Sequence, residues 1–405
     1  MTGPLDGITV LAAEQMHSLP HATQLLALLG ADVIKVEPPG GEAGRSGRPT
    51  LVDRDDRAVG STFIRNNLAK SSIVIDLKSE RGVEVFLRLA ATVDVVAENF
   101  RPGTATKLGI AYDDVRRVNA RAVYVSISGF GNAESPASPY REWAAYAPIV
   151  EGMAGLYEYS RETSARPRPA LAGALGDTAP GLYAVIGVLA ALHERERTGA
   201  GQYVDISMYD AMIAVADVVH PASMGIEPSH AVDGIGILHA FRARDGFFTV
   251  EVVREAHFPR FAAAVGHPEW VDDTRLRTRS GWSTHIDDVI RPGVEAWAAT
   301  RSKLDAATEL ARHGVAAGPV NTAADIRDDP HVQSRAFVHE FAPLAPDDPD
   351  VAVVGSPIAF RDAQRDVTGP SRWPLLGEHT DAVLRARLAT DDTELAELRA
   401  TGVIA

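Results

Sequence analysis

The chain contains no cysteine. That excludes disulfides, cysteine nucleophiles and zinc–thiolate sites, and it agrees with a reducing, cytoplasmic setting. Basic charge is in short supply: 40 Lys and Arg stand against 54 Asp and Glu, a formal net charge of -14. Such a balance disfavours nucleic-acid binding, which depends on basic surface, but leaves room for a local basic pocket. The start, Met1-Thr2-Gly3-Pro4-Leu5-Asp6, lacks the basic and apolar regions of a signal peptide. No uninterrupted apolar stretch reaches the ~20 residues of a membrane span. The longest, near 182–192, runs into His193-Glu194-Arg195-Glu196-Arg197. Neither a nucleic-acid partner nor membrane insertion is therefore expected.

Several motifs are missing as well. The thirteen histidines are scattered, without the spacing of a metal site, so no metal is expected. There is no Gly-x-Ser-x-Gly elbow of an α/β serine hydrolase and no P-loop. Glu37 ends a strand where a dinucleotide fold keeps its ribose-binding acid. The preceding loop, Glu14-Gln15-Met16-His17-Ser18-Leu19-Pro20, has no glycine. The turn that admits a pyrophosphate is therefore missing, and NAD is not expected.

What is present is a strand–helix alternation. The spacing predicts strands over 8–13, 32–37, 72–78, 94–100, 122–128 and 202–207, with helices over 21–29, 80–91, 113–118, 143–157 and 208–219. This is the pattern of an α/β doubly wound parallel sheet. Residues 42–60 read as an exposed polar loop, 132–142 as another, and 161–169 as a polar crossing. At 405 residues the chain exceeds a single core, so two domains are expected. Composition shifts at 221–236, and 341–358 is rich in Pro and Asp; both read as linkers. Between them lie a strand at 247–252 and helices at 257–265, 287–299 and 303–313. A last helix opens after Gly377.

One carboxylate is well placed. Asp177, in Gly176-Asp177-Thr178, precedes a long run of small and apolar residues and reads as the N-cap of a buried helix. A cap needs no chemistry. A carboxylate at a helix N-terminus is also a competent nucleophile, kept ionised by the dipole, beside amides able to receive an oxyanion. Ligands of open α/β sheets bind beyond the carboxyl ends of the strands. The loops there offer His17 and Ser18, Lys78, and Asn99 with Arg101 and Lys107.

Taken in order, several stretches resemble the family III CoA transferases. They are Pro4-Leu5-Asp6-Gly7-Ile8, the run Gly30-Ala31-Asp32-Val33-Ile34-Lys35-Val36-Glu37-Pro38-Pro39-Gly40, and Glu98-Asn99-Phe100-Arg101-Pro102-Gly103. Ser126-Ile127-Ser128-Gly129-Phe130-Gly131, His193-Glu194-Arg195-Glu196-Arg197-Thr198-Gly199, Gly318-Pro319-Val320-Asn321 and Leu376-Gly377-Glu378-His379-Thr380 complete the set. The group includes formyl-CoA transferase, carnitine-type transferases and α-methylacyl-CoA racemase. The resemblance implies an interlocked homodimer. Each chain would have a large Rossmann-like CoA-binding domain at 1–220, completed by 360–405. A smaller α/β domain at 237–330 would be inserted through linkers at 221–236 and 331–359.

It also implies coenzyme A as co-substrate and Asp177 as its covalent carrier. By position, His17 and Ser18 lie beside the thioester. Ile75, Asp76, Leu77, Lys78, Asn99, Phe100 and Arg101 match adenosine and phosphate contacts. Lys107 matches a basic CoA contact, and Tyr146 flanks the pantetheine. Some members have Arg where this chain has Pro38, so one adenine contact is missing or supplied elsewhere. The glycine-rich loop of formyl-CoA transferase has no counterpart between 225 and 250, which argues against formyl-CoA and oxalate. The small domain and the 225–250 segment are expected to shape the acyl pocket. The racemase His-Asp pair falls at Ala145-Tyr146-Ala147 and is lost. The expected activity is transfer of CoA from an acyl-CoA to a free carboxylic acid. The alternatives are an acyl-CoA racemase and a non-catalytic CoA-binding protein.

Overall fold

A computed structural model describes residues 3–53, 55–132, 137–159, 166–169, 173–225, 234–344, 350–360 and 371–405. The described residues fall into two units, one drawn from 1–161, 166–219 and 334–405, the other from 220–333.

The first unit opens with β1 (Thr9–Ala13), α1 (Ser18–Leu28) and β2 (Asp32–Glu37). A hairpin of β3 (Thr50–Val52) and β4 (Ala58–Gly60) leads into α2 (Ser61–Asn66). Then come β5 (Ser71–Val74), α3 (Glu80–Ala90), β6 (Val95–Glu98), α4 (Thr104–Leu108), α5 (Tyr112–Val118) and β7 (Val123–Ser128). Two short helices, α6 (Ala147–Met153) and α7 (Leu156–Tyr159), precede α8 (Leu175–Thr198), β8 (Tyr203–Ser207) and α9 (Met208–Ala216). Six strands form one sheet in the order β5-β2-β1-β6-β7-β8, every neighbouring pair parallel. The chain order reverses between β1 and β6. That is the Rossmann strand order, with its switch point there.

Both faces of the sheet are covered, so its strands need no polar alternation. Along β1, Val10 and Ala12 point to one face and Leu11 and Ala13 to the other, as the two-residue period requires. Leu19, Leu26, Val150 and Val188 pack on the first face; Phe86, Leu89, Leu384 and Leu398 pack on the second.

Several expectations need correction. Residues 42–60 are no exposed loop: Glu42 and Arg45 are buried, and β3 pairs antiparallel with β4. The reason is Glu37, whose carboxylate accepts two bonds from the Arg45 guanidinium and one from Ser72 Oγ, each 2.6 Å. Thus engaged and fully buried, Glu37 has nothing to offer a ribose. The helix expected over 143–157 is two, separated at Gly155, whose φ of 87° lies in the left-handed region that ends helices. The apolar helix near 182–192 is in fact the 24-residue α8. By length and composition it is sufficient for a membrane span, with half of that window buried inside the protein. Leu182, Ile186 and Leu189 on its other side are exposed.

In the second unit β9 (Ile237–Ala243), β10 (Gly246–Val252) and β11 (Ala316–Pro319) form an antiparallel sheet. Helices Phe258–Ala264, Arg291–Ala298 and Lys303–Arg312 cover it, with Phe261, Val294 and Leu310 against Phe241, Phe248 and Val250. The stretch expected as a second linker contains a strand, Val351–Val354, paired antiparallel with Val338–Phe341. The segments expected at 132–142, 161–169 and 221–236, and the 225–250 segment, lie partly outside the described residues.

Candidate active site

The site is built at the switch point, where the loops leaving β1 and β6 meet. Asn99 accepts the Gln15 N–H through Oδ1 and donates Nδ2–H to the Gln15 carbonyl, both at 2.9 Å. Met16, next in the chain, has φ 64°. A non-glycine residue there costs about 1–2 kcal/mol. Its N–H is held by Glu42 Oε2 at 3.0 Å. Beneath the loop lies Glu14, fully buried, with Lys70 Nζ at 2.7 Å and Thr23 Oγ1 at 2.6 Å. Burial opposes its ionisation, but Lys70 and Lys35 outweigh it and hold the carboxyl below the usual range. The His17 loop therefore stands on a charged, fully paired base.

Asp177 comes to this loop from α8. It is not the N-cap; that position is Ala174, with φ 41° and no side-chain cap. Asp177 stands in the first turn, its N–H donating to the Ala174 carbonyl at 2.9 Å. Gly176 precedes it because α6 passes close: a Cβ there would meet the Ala147 carbonyl oxygen at 2.6 Å. The Gly176 N–H donates to Glu151 Oε1 at 2.8 Å. Of the amides at the helix start, these two are thus already engaged. The other Glu151 oxygen accepts the Tyr157 hydroxyl, and Ser18 Oγ donates to the Asp177 carbonyl at 3.0 Å.

Electrostatics differ from the expectation that the helix end simply keeps Asp177 ionised. Burial pushes its carboxyl up to about 6, the Glu151 charge adds to the rise, and Arg65 opposes it. His17 Nδ1 lies 4.0 Å from Asp177 Oδ2. Burial, with Arg65 and His21, pushes the His17 imidazole down to about 4, so at neutral pH it is uncharged and the two form no ion pair. Among the described residues no donor hydrogen-bonds either carboxylate oxygen of Asp177. An ionised carboxylate without a fixed partner is available as a nucleophile.

Asp177 lines a cavity of about 280 Å³ together with His17, Ser18, Asn99, Phe100, Arg101 and Tyr146. Those are seven of the residues singled out in the sequence, drawn from four separate stretches. The remaining five stand elsewhere. The Ile75 side chain is 1% exposed inside the core, so a ligand would meet only its backbone. Asp76 to Lys78 form the entry to α3, with Asp76 Oδ1 accepting the Lys78 N–H at 3.0 Å and the Asp76 carbonyl accepting Ser79 Oγ at 2.8 Å. Leu77 packs on the core, while Lys78 and Lys107 are exposed at the end of the sheet and in α4. Sequence reasoning passed over Glu151 and Arg65. Glu151 left a trace, a lone charge among the apolar residues of α6; Arg65 in α2 left none.

Comparison with known proteins gives the family. Residues 5–380 match CoA-transferase family III. The chain is 33% identical over 394 residues to a succinyl-CoA:mesaconate CoA-transferase of Haloarcula hispanica, covering 94% of this chain and 96% of that one. It is 32% identical over 431 residues to a formyl-CoA:oxalate CoA-transferase of Streptomyces avermitilis, covering all of both. The crystal structure of a CAIB/BAIF family protein from Brucella suis superposes with a TM-score of 0.82 at 31% identity, over 96% of this chain and 100% of that one. This protein is a member of the family III CoA-transferases.

Proposed function

We propose that the protein transfers CoA between carboxylic acids through an aspartyl-CoA thioester on Asp177. The observation that carries this reading is the Asp177 carboxylate itself: part-buried, free of hydrogen bonds to other described residues, and facing a cavity beyond the strand ends. Its raised pKa leaves it ionised but basic near neutral pH, which suits attack on a carbonyl carbon.

The steps balance without ATP. An Asp177 Oδ atom attacks the thioester carbonyl; the C–S bond breaks and CoA thiolate leaves, giving an acyl-aspartyl anhydride. The thiolate attacks Asp177 Cγ, and the first acid departs as carboxylate. The acceptor carboxylate then attacks Cγ and expels the thiolate. The thiolate attacks the acyl carbon of the new anhydride and restores the Asp177 carboxylate. His17, being uncharged, lies beside the nucleophile without neutralising it. Arg101 at the cavity, with exposed Lys78 and Lys107, offers cations for the phosphates of CoA.

We extend the proposal to a cytoplasmic homodimer, with the large domain of 1–220 and 360–405 and the small domain of 237–330 as its parts. The exposed Leu182, Ile186 and Leu189 of α8 supply an apolar face for a second copy.

The test is a panel of acyl-CoAs followed by hydroxylamine trapping and peptide mass spectrometry. Modification at Asp177, absent in Asp177→Asn, is the expected result. An Asp177→Asn protein exchanging CoA at the wild-type rate overturns the scheme. Exchange of the α-proton for deuterium with no adduct favours the racemase reading.

A further inference from the structure

A second, larger cavity adjoins the first. Its volume is about 600 Å³, and His17 and Thr62 stand on both. The two therefore meet beside the Asp177 carboxylate. The walls of the larger one are mainly apolar, supplied by Leu51, Ile64, Val351 and Val353. Among the described residues a single cation lines it: Arg65, on the last turn of α2. Its neighbours Phe63 and Ile64 are buried in the core, whereas Arg65 is exposed.

The Arg65 guanidinium makes no hydrogen bond or ion pair with any other described residue. The acidic groups near the site are otherwise committed: Glu151 to the Gly176 N–H and Tyr157, Glu42 to the Met16 N–H, Glu14 to Lys70. Yet the Arg65 charge is felt at the reacting centre. It lowers the pKa of Asp177 and depresses both His17 and His21. An unpaired guanidinium in an apolar-walled cavity attracts a planar anion, and a carboxylate fits it with two parallel bonds.

Resting on the CoA-transferase reading above, we propose that this cavity is the acyl pocket and that Arg65 holds the distal carboxylate of a dicarboxylic acid. The reacting carboxyl of such an acid lies at Asp177 and the hydrocarbon chain against Leu51, Ile64 and the valines. A monocarboxylic acid of equal length has only its reacting carboxyl. It leaves Arg65 without a partner, and a site built for a polar group rejects the analogue that lacks it. The lining residues so assigned belong to the first unit, whereas the sequence reading looked to the small domain and the 225–250 segment.

The experiment compares matched probes on wild type, Arg65→Met and Arg65→Lys. Succinate and butyrate are the acceptors, and succinyl-CoA and butyryl-CoA are the donors. Binding of free succinate and butyrate is measured by calorimetry alongside turnover, with thermal melting to verify the fold. Wild type is expected to favour the diacid in kcat/KM by about 100-fold or more. Arg65→Met is expected to lose about 100-fold for the diacid, mostly in KM, with the monoacid losing markedly less, in kcat, as the charge that lowers the Asp177 pKa is removed. Arg65→Lys should recover part of the loss. Equal losses for both acids, or a wild type indifferent between them, overturn the proposal. Succinate binding that depends on Arg65 without any CoA exchange upholds the pocket and sinks the transferase reading. Exchange that ignores Arg65 does the reverse.

Discussion

Asn99 and Gln15 are joined by two hydrogen bonds of 2.9 Å, side-chain amide to backbone amide, across 84 residues of sequence. One lone pair of Oδ1 and one N–H of Nδ2 are thereby committed to the loop, and the second of each is left towards the cavity that Asn99 lines. This makes Asn99 a positioning residue for the Met16–His17 loop. Asn99→Ala is expected to cost about 1–2 kcal/mol of stability. It should also lower kcat/KM about 10–100-fold through a displaced His17 loop. Steady-state kinetics beside thermal unfolding would check this; unchanged kcat/KM in a destabilised protein would count against it.

Asp177 is destabilising where it is functional. Its folded-state pKa, about 6, lies above the ordinary value of 3.8 that it has in the unfolded chain. The resulting contribution favours the fold in acid, is complete below about pH 4 and is lost as pH rises through about 6. Asp177→Asn should therefore be inactive yet more stable at pH 7.5, by about 1–3 kcal/mol, with the gain shrinking towards pH 4. Melting curves of both proteins across that range give the answer.

Among the described residues, Glu151, His17 and Arg65 are the titratable or charged groups that act on or lie beside Asp177. Glu151→Gln keeps an oxygen for the Gly176 N–H while removing the charge that raises Asp177. The acid limb of the pH–rate profile for adduct formation, set by Asp177 ionisation, should move to lower pH by a few tenths to about one unit. A limb that stays put would assign the rise to burial alone.

Gly176→Ala tests the close approach of α6 to α8. The new Cβ would lie 2.6 Å from the Ala147 carbonyl oxygen and 2.7 Å from its Cα, both backbone atoms. A loss of about 1–3 kcal/mol is expected, together with reduced adduct formation as Asp177 is pushed from the cavity. Wild-type stability would mean that α6 yields freely.

Arg45→Met tests the base of the site. Glu37 is buried, which opposes its charge, yet Arg45, Lys35 and Ser72 hold its carboxyl below the usual range. Breaking that pair is expected to cost about 3–5 kcal/mol at pH 7. Denaturant unfolding measures it, and a cost below about 1 kcal/mol would contradict the burial argument.

Much of the architecture was legible in the sequence. The alternation of β-branched runs with amphipathic helices indicated a parallel sheet because each such run can be buried only between two helical layers. The Gly176-Asp177 motif, set in an ordered series of family motifs, singled out the candidate nucleophile. The loops after β1 and β6 offered His17, Ser18, Asn99 and Arg101 because strand ends are where an open sheet exposes its backbone.

Tertiary structure alone decided how those residues act. Asn99 proved to hold a loop, since its partner 84 residues away is adjacent only when β1 pairs with β6. The Gly176 amide proved to be taken by Glu151, 25 residues distant, and Asp177 to be raised by burial that no spacing reveals. Arg65 had no sequence signal, because an unpaired cation becomes meaningful only once the cavity around it is known. Local patterning records which way a side chain faces within its own element. The pKa of a carboxylate and the partner of a guanidinium depend on what other elements bring to within a few ångströms.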